Sequence, residues 1–408
     1  MKIATFMETF PALSETYILW HMSELIRSGQ EVELYPVQQG STEKVHEEVH
    51  EFDLLERMHV APPIEFSSQS GKLKFGLELM DACVRYPVEM ARLYRSLRGY
   101  CAMGWPQVVR HLAHLGRRME VDVLHGYFGP PGRRAQMLRE SLQLEAPLVV
   151  SFLGFDLNVL PNKTPSNYYA QVFDGATALC VSSQFMKGRI LELGAPEERV
   201  TVLPLGLPVK RFTYQERGHA KGEPLRLLSA ARLTEVKGIE WGLRGVSLAL
   251  DAGVDVRWEI FGDGPLRGEL EALCKELGLD EHVTFHGFVT MDRVKEGMSR
   301  VDAALFPGVS AHDGAEEALG GAVLEAQASG MPVIASQVGG VPEAFVPGES
   351  GLLVPQKDAQ AIADAIVELY SRRDSWGDMG RKGREHIEQQ YDCGALNERW
   401  LAFYASLV

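Results

Sequence analysis

The sequence predicts an α/β protein built from two doubly wound, Rossmann-like domains, and three observations lead there. Short apolar runs alternate with segments of helical period along the whole chain, the pattern of parallel strands joined by crossover helices. The pattern is completed twice, once on each side of a proline-bounded stretch at residues 204–208. At 408 residues the chain also exceeds the roughly 100 to 200 residues of one ordinary domain. The expected division is residues 1–205, then 206–390, then a closing helix over 391–408.

The first strand is expected at residues 3–6, and Pro11 leads into a helix with Ile18, Met22, Leu25 and Ile26 on one apolar face. Gly29 ends that helix before a second strand at 32–37, which completes one βαβ unit. Further strands are expected at 121–124, 148–152, 178–181 and 200–203, with Ser182 or Ser183 capping the helix that follows the third of these. The second half repeats the scheme with strands near Leu225, Val256, Val283, Ala303, Val333 and Leu352. Its first helix carries the stripe Ile239, Leu243, Val246 and Leu250.

Composition narrows the function classes. A formal charge of −14 disfavours nucleic acid as a partner, because phosphate neutralisation supplies most of that affinity. No window approaches the roughly 18 unbroken apolar residues of a membrane span, and the first residues lack the long apolar core of a signal peptide, so a cytoplasmic location is expected. Five scattered cysteines without a Cys-x-x-Cys pair read as reduced packing residues. His46-Glu47-Glu48-Val49-His50 matches the spacing of zinc peptidases, but its acidic surroundings and the lack of a third ligand favour a solvated acidic helix. Gly262-Asp263-Gly264 follows a strand, yet Gly268 falls one position late for a dinucleotide loop, which disfavours hydride transfer.

The chemistry concentrates after two strands of the second half. Arg232 and Lys237 sit five residues apart on a loop at a strand's carboxyl end, where open α/β sheets bind ligands and two cations can grip a diphosphate. Glu317 precedes a helix expected to start near Gly321, and Glu325 lies one turn inside it. Free N–H groups at Leu319, Gly320 and Gly321 would face an anion at the helix's positive end. Alternatively, Glu317 is a solvated loop acid and Glu325 a first-turn acid favoured by the helix dipole.

The Arg232/Lys237 pair, the Glu317-x7-Glu325 spacing and the run from Leu324-Glu325-Ala326 to Gly330-Met331-Pro332-Val333 resemble retaining glycosyltransferase family four, whose members have the GT-B fold of two domains facing a cleft. Phe10-Pro11-Ala12-Leu13-Ser14-Glu15-Thr16-Tyr17 resembles the start of the colanic-acid and amylovoran subgroup. The resemblance implies a hexosyltransferase that needs no metal or cofactor, takes a nucleoside-diphosphate sugar, and acts on a small-molecule or lipid-linked acceptor. Carried over residue by residue, it gives Glu317, Arg232 and Lys237 catalytic roles, and adds Gly262, Gly264, Phe288, Leu319, Gly320, Gly321 and Glu325 as donor contacts. The closing helix is expected to return to the first domain.

This chain departs from the family at three points. Ala318 follows Glu317 in place of the usual glycine, Gly320 stands where proline is common, and Leu153 occupies the position of a histidine in the first domain. His125 and Asp156 are the candidates to fill that role. An epimerase of the same fold, or a homologue that only binds sugar nucleotide, is the alternative function. Between residues 71 and 118 cations outnumber acids and aromatics are interleaved, which suits an anionic membrane face and peripheral contact with the inner membrane. A solvated helix face with core aromatics is the competing reading there.

Overall fold

The computed structural model describes residues 1–98, 100–101, 103–218 and 222–408. The chain forms two compact units, Met1–Gly206 with Leu396–Val408, and Leu207–Ala395. No helix among the described residues is long and apolar enough to cross a membrane.

Unit 1 holds strands β1 (Lys2–Phe10), β2 (Glu31–Gln39), β3 (Val123–Tyr127), β4 (Leu148–Phe152), β5 (Ala178–Val181) and β6 (Val200–Val202). They pair in parallel in the order β2-β1-β3-β4-β5-β6. The helix Thr16–Arg27 buries Ile18, Leu19, Met22 and Leu25 against this sheet, while Ile26 is only partly covered. Ser183 caps the helix Gln184–Glu192, its side chain accepting from the Met186 N–H at 3.2 Å. The last helix, Cys393–Leu407, packs Leu396, Trp400 and Tyr404 into the same core, and Trp400 Nε1 donates to the Pro204 carbonyl at 3.0 Å.

Unit 2 holds β7 (Leu225–Ala230), β8 (Val256–Phe261), β9 (Val283–Gly287), β10 (Ala303–Phe306), β11 (Val333–Ser336) and β12 (Gly351–Val354). The order β12-β11-β10-β7-β8-β9 is parallel throughout, so the chain reverses its direction of winding between β7 and β10. Such a switch point opens a crevice at the carboxyl ends of the strands. The helix Ile239–Asp251 buries Ile239, Leu243, Val246 and Ala249. Its Gly242 and Gly245 lie close against Trp258 and Ile362.

Several sequence expectations change in detail. β3 starts two residues later than expected and runs on through Tyr127, which moves His125 from a strand end into a strand. The proline-bounded stretch falls where the two units divide, and it buries the side chains of Leu205 and Leu207. The acidic segment forms a five-residue helix, Glu47–Glu51, that buries Glu48 and Val49 and so is not wholly solvated. Cys83 is exposed and Cys101 half-buried, so only Cys180, Cys274 and Cys393 serve packing.

Candidate active site

The crevice at the β7/β10 switch point spans about 410 Å³, open to solvent, and is lined by residues from both strand ends, among them Ala230, Pro307, Lys237, Glu317, Gly320 and Val341. Local sequence explains how these side chains arrive there. The loop after β7 closes in a short 3-10 turn, Glu235–Lys237, and Gly238 follows with φ +60°. A Cβ at Gly238 would overlap the Pro307 carbonyl, so only glycine lets the loop lie this close to the chain after β10. The Val309 N–H donates to the Val236 carbonyl at 3.0 Å and ties the two loops together. Lys237 and Glu317 then meet as a half-buried ion pair. Glu235 and His312 form a second pair on the outer edge, where the His312 N–H also donates to the Glu235 carboxylate at 3.2 Å.

The helix Gly321–Ala328 begins at the floor of the crevice. Its Val323 and Leu324 N–H groups donate back to the Gly320 carbonyl at 2.9 and 3.2 Å. Among the described residues, the N–H groups of Leu319, Gly320, Gly321 and Ala322 have no partner. Four free donors beside a cation, at the positive end of a helix, form a place that favours a bound anion.

Glu325 lies one turn further on and is half-buried, and its carboxylate has no hydrogen bond or ion pair among the described residues. Burial pushes its carboxyl up to about 7, against the opposing pull of Lys295 and Lys237. Lys295, on the helix Met291–Met298, also sits 5.5 Å from the Phe212 ring centroid. Sequence reasoning missed Lys295, because a lysine on an amphipathic helix carries no signal that separates it from a solvated one.

The remaining second-half candidates are more scattered. Arg232 is exposed and its side chain has no partner among the described residues. Gly262 and Gly264 pack beside the Arg232 loop, where the Leu233 N–H donates to the Asp263 carbonyl at 2.9 Å. Gly262 has φ +128°, and a Cβ there would overlap the Ala231 carbonyl, so this glycine shapes the Arg232 loop. Phe288 stands 81% exposed at the end of β9. His286 is engaged elsewhere, stacked on Phe261 with Nε2 3.0 Å from Glu259.

The first-half candidates are enclosed. His125 is fully buried: Nε2 lies 2.8 Å from Ser151 Oγ, Nδ1 lies 2.7 Å from the Tyr404 hydroxyl, and the ring packs beside Trp400. Burial holds its pKa well below the usual histidine range, so it is neutral. With both nitrogens engaged inside the core, it has no atom to offer a substrate. Asp156 is equally buried, and its carboxylate accepts from the N–H groups of Gly129 at 2.9 Å, Gly154 at 2.9 Å and Leu153 at 3.1 Å. It ties together the loops after β3 and β4. Among the described residues, no group of three His, Cys, Asp or Glu side chains is placed to hold a metal, and His46 of the peptidase-like motif lies instead 3.1 Å from the Leu13 carbonyl.

Two family models match consecutive parts of the chain: a glycosyl transferase 4-like domain over residues 14–206 and the group 1 glycosyl transferases over 210–386. The putative colanic acid biosynthesis glycosyltransferase WcaL of Salmonella typhimurium is 30% identical over 98% of both chains. The chain belongs to the group 1, family-four glycosyltransferases. The amylovoran biosynthesis glycosyltransferase AmsK of Erwinia amylovora is 27% identical over 90% of each chain. Among solved structures, Anabaena HepE in complex with UDP and glucose aligns over the full length of both chains with a TM-score of 0.69 at 16% identity, a likeness of fold. The two parallel six-stranded units are thus those of the two-domain α/β GT-B fold, and this family member is a nucleotide-sugar glycosyltransferase.

Proposed function

We propose that this glycosyltransferase moves a hexose from a nucleoside-diphosphate sugar to an acceptor hydroxyl with retention at the anomeric carbon, in the synthesis of an exopolysaccharide or related glycoconjugate. The observation that carries the reading is the Lys237–Glu317 pair beside four unpartnered N–H groups at the start of the helix Gly321–Ala328. As the bond from sugar to diphosphate breaks, negative charge builds on the leaving group. Lys237, Arg232 and the free backbone donors would stabilise that charge without rearranging. Glu317 would orient the sugar, and Glu325 would accept from ribose hydroxyls. His125 and Asp156 enter only as supports of unit 1, with no contact to substrate.

Two features support the assignment to exopolysaccharide synthesis. WcaL and AmsK are named for colanic acid and amylovoran synthesis, and both align along nearly the whole chain. The first-half motif from Phe10 to Tyr17 resembles the start of the same subgroup. An acceptor carried on a lipid would place the enzyme at the inner membrane face as a peripheral protein.

A panel of nucleotide sugars with and without candidate acceptors tests the function. Transfer that requires an acceptor supports the proposal. Conversion of donor alone would identify an epimerase, and thermal stabilisation by donor without turnover would identify a binding protein.

A further inference from the structure

The helix Gln69–Arg85 is turned inside out. Its inward side buries Gly71, Glu78 and Ala82, and Glu78 receives Arg110 Nε at 3.0 Å and lies 2.8 Å from His114 Nε2. The opposite side carries Leu73, Leu77, Met80 and Val84, at the i, i+4, i+7, i+11 spacing of one helical stripe. These four are 69, 58, 65 and 79% exposed, and Val88, 54% exposed at the start of the next helix, Pro87–Ser96, extends the apolar surface. A single exposed leucine needs no explanation, but a stripe of five large apolar residues calls for a covering partner.

The charges around the stripe say what that partner is. Exposed cations are contributed by Lys72, Lys74, Arg95 and Arg98. The acids of the same helices are withdrawn: Glu78 and Glu89 are buried, and Asp81 is paired with Arg85. A chain of net charge −14 therefore presents its apolar stripe inside a positive rim. The interleaved aromatics expected to insert mostly turn inward instead. Phe75 packs edge-on against Phe66 and Trp105, and only Tyr94 is strongly exposed. A second copy of the chain is a poor cover, because a two-fold contact would set the two positive rims against each other.

We propose that this stripe and its rim form the docking surface of the enzyme on an anionic bilayer, with Leu73, Leu77, Met80 and Val84 entering the headgroup region and the surrounding lysines and arginines meeting acidic lipids. The inference deepens the peripheral location proposed above by assigning it to particular residues, and it rests on the transferase reading only for the statement that the acceptor is lipid-linked. Shallow burial of an apolar helical face together with charge attraction is the physics of interfacial helices.

The test is flotation of the full chain with vesicles of phosphatidylcholine alone or mixed with phosphatidylglycerol. The wild type is expected to float with the acidic vesicles only, and to lose most of that binding at about 0.5 M salt, where the Debye length is only a few ångströms. Combined Leu73→Gln, Leu77→Gln, Met80→Gln and Val84→Gln should reduce the bound fraction on the order of tenfold or more, since each change removes apolar area from the inserted face. All four sites are solvent-facing, so an unchanged melting temperature is expected. Combined Lys72→Glu, Lys74→Glu and Arg95→Glu provides a second reading that leaves the helix core untouched. Three results would overturn the proposal: a wild type that does not float at low salt, glutamine variants that float like the wild type, or a wild-type dimer that the glutamine changes split into monomers. Transfer to a water-soluble acceptor, measured on the same preparations, keeps the two readings apart. The glutamine variant should retain it, and its absence from the wild type would sink the transferase reading while the vesicle result stands.

Discussion

Each unit brings backbone N–H groups together where a loop enters a helix, and the two sites differ in what fills them. In unit 1 the donors of Leu153, Gly154 and Gly129, the last at the start of the helix Gly129–Leu142, all turn to one carboxylate supplied by the chain, Asp156. In unit 2 the donors of Leu319 to Ala322 turn to no group among the described residues. The first site is closed with an internal anion and serves architecture. The second is left open beside Lys237, where the proposed function seats the donor's diphosphate. A doubly wound sheet thus provides the same kind of electropositive corner twice, and a single aspartate in reach distinguishes the structural joint from the proposed binding site.

The sharpest way to break this contrast is at Lys237. Lys237→Ala should lower turnover about 100- to 1000-fold, the range for losing one charge-stabilising donor, while stability changes little. Steady-state transfer kinetics check it, and a rate within about twofold of wild type would mean that the open corner is not where charge develops.

Asp156→Ala is the mirror experiment. It leaves three N–H groups without their acceptor, two of them buried, and should cost about 1–3 kcal/mol of stability, visible as a lower urea midpoint, with the donor KM unchanged. A raised donor KM at full stability would give Asp156 a role at the substrate after all.

Glu325 sharpens the comparison through pH. Its folded pKa of about 7 lies above the ordinary 4.5, so the stability it contributes is full below about 4.5 and lost as pH rises through about 7. Glu325→Gln should therefore raise the melting temperature of the ligand-free protein at pH 8, with the gap closing towards pH 5. The same variant should raise the donor KM by roughly tenfold, the scale of one lost hydrogen bond to a charged group. Equal melting curves at both pH values would show that the carboxylate is not held in a desolvated site.

The smallest effect is expected at the outer edge. His312→Ala removes an exposed pair with Glu235, and surface pairs contribute little, so activity should stay within about twofold. A large loss would move the working part of the crevice outward from Lys237.

Much of this was legible in the chain. Alternating apolar runs located every strand of both sheets, because a strand buried on both faces has few sequences open to it. Arg232 and Lys237 stood out as two cations on the loop that follows a strand, and Glu317 and Glu325 through their spacing about the start of a helix. His125 shows the complementary case. The apolar run predicts a strand that ends at 124, yet β3 continues through His125, and its partners Tyr404 and Trp400 lie far along the chain where no local pattern announces them. The stripe from Leu73 to Val84 shows a further limit. Periodicity identifies an apolar face, but whether protein or something else covers that face is decided by the inward pull of Glu78 on Arg110, a tertiary contact.

The discontinuity of unit 1 carries one more consequence. Trp400 and Tyr404 complete a core begun by Ile3, yet they leave the ribosome only after all of unit 2 has been made. The amino-terminal half must therefore wait, with the socket around His125 uncovered, until the final segment arrives. A nascent chain arrested after residue 395 should present a finished second unit and an unfinished first, reversing the usual order in which domains mature during synthesis.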